Sequence, residues 1–232
     1  GEWETVLLKS KNLLDPLTHL NPNSHESKLV FRLTVPMLVK ILGLNYTKAY
    51  WLKFIIGVVL VTQIYKLSKR ILSDSVSATF MTSGLVFLYF GRVCFIAYPS
   101  FDGIAFFCAI LALLYQRPIL VFLLSTVAAW VDERALVALP IILLFSQISS
   151  GKTYTFEWRK LVALNASSIA VLAAILGYTI LRLFLTFQFN MHTPTDSANF
   201  SILKQNVHFL GFGLWSFLEG FWLLYLLAIL YA

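Results

Sequence analysis

Apolar positions dominate the chain after residue 48 and fall into runs at about 49–65, 75–91, 102–115, 118–131, 134–147, 161–187 and 209–231. Short polar stretches separate them: KLSKR over 66–70, RVCFIAYPSFD over 92–102, Gln116-Arg117, Asp132-Glu133-Arg134, SSGKTYTFEWRK over 149–160, and a loop over about 188–208. Runs of this length read as membrane helices, and the period-2 alternation of an outer-membrane barrel is absent. The expected fold is all-α: a polytopic integral membrane helical bundle of about 6–7 membrane segments, with an outer amphipathic interfacial helix. No internal repeat or low-complexity segment is evident.

Residues 1–48 are the only sizeable polar region and read as an extracytoplasmic loop, with residues 49–232 as the helical bundle. Asp15-Pro16 and Asn21-Pro22-Asn23 mark turns there. Asn23 or Ser24, with Glu26 following, resembles a helix N-cap. The spacing predicts a helix over about 25–43, with Leu29, Leu33, Met37 and Ile41 on one face, His25, Lys28 and Arg32 on another, and Pro36 as the place for a bend. Such a helix suits a membrane surface.

Loop charge sets the expected topology. Lys66, Lys69 and Arg70 belong in the cytoplasm by the positive-inside rule, which puts 92–102 outside and Arg117 inside. The rule holds at Lys152, Arg159 and Lys160 only if 118–147 is two segments broken at 132–134. Each half is then roughly 20 Å of helix, short of a hydrocarbon core of about 30 Å. The break is therefore expected to lie recessed below the outer surface, where neighbours or water satisfy it. The region 1–48 comes out extracytoplasmic yet carries Lys9, Lys11, Lys28, Arg32, Lys40 and Lys48. Either the rule is overridden or these cations serve an anionic lipid or substrate.

Composition agrees with a membrane protein: 59% of the 232 residues are hydrophobic and only 12% charged, and the mean hydropathy is +0.78. The sequence reads as a fragment, with a span expected before Gly1 and more after Ala232. The net charge of +7 points to topology and lipid headgroups before nucleic acid. Cys94 and Cys108 read as packing residues, not as a disulfide or a zinc site. No cofactor and no metal is called for, and no phosphate loop, zinc-protease motif or nucleophile turn occurs.

The chemistry concentrates at Trp130, Asp132, Glu133 and Arg134, because ionisable groups inside apolar runs are costly and face a protein interior or a watery cavity. The cluster is either an internal salt bridge holding the break or a general base with a tuning or phosphate-binding arginine. Asp102 opens an apolar helix, as an N-cap or as a carboxylate at a cavity mouth. Arg32 and Lys28 are either phosphate ligands or interfacial anchors. Most ionisable residues outside the loop anchors fall on the outer side, including Glu26, His192, Asp196 and His208; the last three are equally well explained as ordinary polar loop positions.

Three stretches, SHESKLVFRLTVPMLVKILGL (24–44), YPSFDGIAFFCAILALL (98–114) and WVDERALVALPIILLF (130–145), together resemble bacterial polytopic proteins related to GT-C glycosyltransferases. The resemblance implies transfer of a sugar from a polyprenyl-phosphate donor to a glycan or protein acceptor of the cell envelope. It implies a multi-pass plasma (inner) membrane protein with its site on the extracytoplasmic side. Asp102, Asp132 and Glu133 are then the catalytic candidates, and His25, Lys28, Arg32 and Arg134 the substrate-binding ones. For the acidic motif of the family's first outer loop, either Glu2, Glu4, Asp15 or Glu26 is the substitute or the base lies before Gly1, and the order Asp-Glu-Arg departs from the family's basic-acidic pair. A transporter or flippase, or a non-enzymatic subunit of an envelope assembly complex, would also place charge at a helix break.

Overall fold

The computed structural model describes residues 2–18, 20, 26–87, 94–95, 101–133, 135–146, 148–149, 155–156 and 165–191. His25, Arg134, His192, Asp196, His208, the Asn23/Ser24 cap and the expected run at 209–231 lie outside them, as does the side chain of Lys28. The chain divides into one unit of residues 1–20 and 24–193 and a second of 21–23 and 194–232. The described helices belong to the first.

Among the described residues the fold is helical: α1 (Glu2–Lys11), a 3-10 helix (Glu26–Phe31), α2 (Thr34–Leu42), α3 (Tyr46–Leu72), α4 (Ser75–Phe87), α5 (Asp102–Leu114), α6 (Pro118–Val131), α7 (Ala135–Ser146) and α8 (Ala166–Phe189). A two-residue antiparallel pairing, Ile148 with Phe156 and Ser149 with Thr155, is the one sheet element among them. α3 and α8 are long and apolar enough to cross a membrane; α4, α5 and α6 are apolar but shorter.

Helix α1 falls in the polar region for which no helix was predicted. Glu2 and Glu4 sit in its first turn and Lys9 and Lys11 in its last, each sign at the favourable end of the helix dipole. Glu2, Thr5, Val6, Lys9 and Ser10 are buried, a single face at helical spacing.

The helix expected over 25–43 is instead two pieces, parted at Arg32 and Leu33. Pro36 accounts for this. In a continuous α-helix its ring would press on the carbonyl of Arg32, four residues back, whereas in the first turn of α2 its missing N–H goes unnoticed. Val35, Pro36 and Val39 turn inward, while Met37 and Ile41, on the stripe expected at a membrane surface, are exposed. α2 ends on Gly43, whose φ of 57° is the left-handed conformation that lets its N–H reach the Val39 carbonyl.

KLSKR, expected as a loop, is helical and closes α3. Nothing in it breaks a helix, and Lys69 and Arg70 are favoured at a C-terminus. The real break follows at Ser73, with φ 58°, and at Asp74, whose Oδ2 accepts the Ser77 N–H at 2.7 Å and starts α4. Asn45 and Asn165 cap α3 and α8 in the same way.

α8 packs on α6 and α7, α5 on α6 and α3, and α1 on α2. Close packing at Cys94 depends on two glycines. A Cβ on Gly57 of α3 would lie 2.6 Å from the Cys94 Cβ, and one on Gly103 of α5 would collide with the Cys94 Sγ. Both cysteines are free and buried.

Candidate functional site

α6 ends at Val131 and α7 begins at Ala135, so the acidic pair lies in a helix break. Asp132 is extended there, with φ −149° and ψ 119°. The two acids engage different arginines. Asp132 Oδ1 accepts from Arg32 at 3.4 Å, and Glu133 Oε2 accepts from Arg182 of α8 at 2.7 Å. The other terminal nitrogen of Arg32 donates to Asp102 Oδ1 at 3.2 Å. Three sequence-distant candidates, Arg32, Asp102 and Asp132, therefore meet at one guanidinium.

Asp102 is the first residue of α5 and not its cap: Phe101 occupies the cap position and makes no side-chain cap bond. The Asp102 carboxylate is turned inward, with the residue 4% exposed, and Asp132 is 3% exposed. Arg32 accordingly pairs with two buried carboxylates, its own side chain 18% exposed. Its Nε–H is also buried and has no hydrogen-bond partner among the described residues. Buried donors are normally satisfied, so an acceptor reaching into the site would find a donor there.

A cleft of about 430 Å³, its open mouth included, lies against this group. Glu2, Thr5, Val6 and Lys9 of α1 line one side, Leu29, Arg32, Val35 and Pro36 another, and Phe101, Asp102 and Val131 the rest. Asp132 and Glu133 are outside that lining. Asp132 stands behind Arg32, and the Glu133 side chain, 37% exposed, faces α8. Lys9 is fully buried, and its Nζ donates to the Asp15 backbone carbonyl at 2.7 Å. Burial pulls the Lys9 ammonium down from 10.5 to about 8, partly offset by the charge of Asp15. Of the six cations in residues 1–48 that the sequence singled out, Lys9 and Arg32 line this cleft.

Beside the cleft, Arg182 donates to the Tyr178 hydroxyl at 3.0 Å and its guanidinium carbon lies 4.4 Å from the centre of the Phe31 ring. Trp130 packs on Tyr178 with ring centres 4.6 Å apart. Phe31, Trp130 and Tyr178 are buried, so their rings serve packing and offer no open face to a ligand.

Sequence reasoning missed Glu2 and Lys9 as cleft residues, and Arg182 and Tyr178 altogether. Arg182 did carry a signal: it is a lone cation inside the run ASSIAVLAAILGYTILRLFLTFQF. Among the described residues no group of three or more His, Cys, Asp or Glu could hold a metal ion. The chain matches no protein-family model, no curated protein and no solved structure.

Proposed function

We propose that the chain is the membrane-embedded body of a GT-C type glycosyltransferase that moves a sugar from a polyprenyl-phosphate donor to an envelope acceptor at the extracytoplasmic face. In this reading α3 and α8 are full spans, the shorter apolar helices complete a bundle of six to seven segments, and the exposed apolar side of α2 rests at the membrane surface. One observation carries it. A single cleft is lined by two cations, Lys9 and Arg32, and two carboxylates, Glu2 and Asp102.

Sugar transfer from a lipid phosphate needs both kinds of group. A carboxylate accepts the proton of the acceptor hydroxyl as it attacks the anomeric carbon, and cations stabilise the phosphate that departs. Asp102 and Glu2 are placed for the first task. Arg32, with its forked donors, and Lys9, as a point charge, suit the second. Asp132 holds Arg32 from behind.

The test is transfer of labelled sugar from polyprenyl-phosphate donors by the purified protein in lipid. Wild type should transfer label, and Asp102→Asn should lower turnover per folded molecule by at least about a hundredfold. Full transfer by Asp102→Asn would remove it from the chemistry, and absence of transfer from every donor tried would sink the enzyme reading.

The helix break between α6 and α7 favours a second reading, a lipid-phosphate flippase, because discontinuous helices build transport sites. Reconstituted vesicles that scramble a fluorescent polyprenyl phosphate without transferring sugar would support it.

A further inference from the structure

The guanidinium of Arg182 touches the sequence neighbours of both halves of the Arg32–Asp132 bridge. On one side it lies over Phe31, which precedes Arg32; on the other it grips Glu133, which follows Asp132. The two grips differ in tightness. Arg182 to Glu133 is 2.7 Å, the length of a strong charge-assisted bond, whereas Arg32 reaches its carboxylates at 3.2 and 3.4 Å. The 3-10 segment that ends at Phe31 and the break that begins at Asp132 are both short, and each flanks a longer helix. Each is held by local backbone bonds, such as the Arg32 N–H to the Leu29 carbonyl and the Ala135 N–H to the Asp132 carbonyl, and none of these ties the one segment to the other.

We infer that Arg182 is a positioning residue: by clamping Phe31 and Glu133 together it sets where Arg32 stands in the cleft, without entering the cleft itself. The inference rests on the proposed reading of the cleft as a phosphate site only for its binding readout. The tight contacts hold the backbone on either side. The loose ones leave the Arg32 fork able to shift from its carboxylates onto an incoming anion. Tyr178, bonded to Arg182 and packed on Trp130, locks the clamp to α6 and α8.

The experiment uses the full chain in lipid nanodiscs, with inorganic pyrophosphate as the probe. Arg182→Gln should weaken pyrophosphate binding about tenfold, within the range for a residue that touches no ligand. Asp132→Asn should do likewise, and the double variant should be no weaker than the weaker single one, because both act through Arg32. Arg182→Lys, which keeps a charge against Glu133, should recover most of the affinity. In parallel, spin labels at Lys40→Cys and Phe187→Cys, with Cys94 and Cys108 replaced by Ala, report the distance between α2 and α8. Arg182→Gln should broaden that distribution and Arg182→Lys should not. If Arg182→Gln does not fold, Glu133→Gln gives the same two readouts with the aromatic contacts kept. Unchanged affinity with unchanged width, or additive losses in the double variant, would overturn the inference. If wild type binds no pyrophosphate, the phosphate reading fails by itself, and the width of the distance distribution alone decides the clamp.

Discussion

Helix α1 buries Glu2, Thr5, Lys9 and Ser10, whereas α8 turns Ile169, Leu176, Ile180, Leu183, Phe184 and Phe187 outward. The usual arrangement of a water-soluble domain is reversed twice. In α8 the inward face is built largely from small residues, Ser167, Ser168, Ala170, Val171 and Ala174, which let it sit close against α6 and α7. In α1 the inward face is polar because it forms the wall of a cleft. Solvent-facing rows of large apolar side chains are unusual in water. Both reversals have one explanation if lipid lies outside and a polar site inside, as the proposed function requires. Each half of the comparison can be broken separately.

The largest effect belongs at the polar interior. Arg32→Met takes the guanidinium away from two carboxylates that are almost fully buried, Asp102 and Asp132. Removing one partner of a buried ion pair costs about 3–5 kcal/mol. We expect a loss of that order in unfolding titrations, and recovery of most of it when Asp102→Asn and Asp132→Asn are added. A stable Arg32→Met would mean that the cluster is not part of the fold's support.

Next comes the apolar exterior. Ile180→Lys places a charge on the outward face of α8 at a residue that is well exposed. If that face meets lipid, insertion should suffer by about 2.5–3.5 kcal/mol. If it meets water, the change should stay within about 0.5 kcal/mol. A glycosylation-based insertion assay on the α8 segment separates the two outcomes and bears directly on the membrane proposal.

The two halves also differ in how much of them could be read from residue order. α8 was legible because its residues are mostly apolar with the single charge Arg182, and its observed bounds of Ala166–Phe189 lie close to the expected run at 161–187. α1 was not legible: its buried face reads Glu, Thr, Val, Lys, Ser, so hydrophobic periodicity has nothing to find. The break at 132–134 was legible from loop charge and from the acids themselves. The partners across it were not, because Arg32 and Arg182 are 100 and 49 residues from Asp132 and Glu133, respectively. The interruption at Arg32 could have been read from Pro36, four residues on, had the proline been taken as a helix start and not as a bend.

Helix contact gives a smaller and sharper effect. Gly57→Ala and Gly103→Ala both press on Cys94, and overpacking of this kind costs about 1–3 kcal/mol. The two should respond differently to a second change. The added methyl at 103 meets the Cys94 Sγ, so Cys94→Ala should relieve it. The methyl at 57 meets the Cys94 Cβ, which alanine retains, so only Cys94→Gly should relieve that one. Equal rescue of both by Cys94→Ala, measured as thermal midpoints in detergent, would contradict the geometry.

Taken per pH unit, the smallest effect is the most diagnostic of the cleft. Lys9 titrates near 8 in the folded chain and near 10.5 when unfolded. Below pH 8 it is charged in both states, and the cost of burying that charge is fully present. Between pH 8 and 10.5 the unfolded chain holds the proton that the folded chain has released, so this group's contribution to stability rises with pH, by at most about 1.4 kcal/mol per unit. An anion in the cleft feels the opposite trend, since it loses a cation over the same interval. Pyrophosphate affinity should therefore fall by up to about tenfold between pH 8 and 9 while the unfolding midpoint climbs. Lys9→Met should flatten both curves. The Arg32 fork still lines the cleft when Lys9 has lost its proton, so residual affinity should level off instead of vanishing. Affinity that is constant from pH 7 to 9.5 in wild type would take Lys9 out of the site and leave α1 as a wall without chemistry.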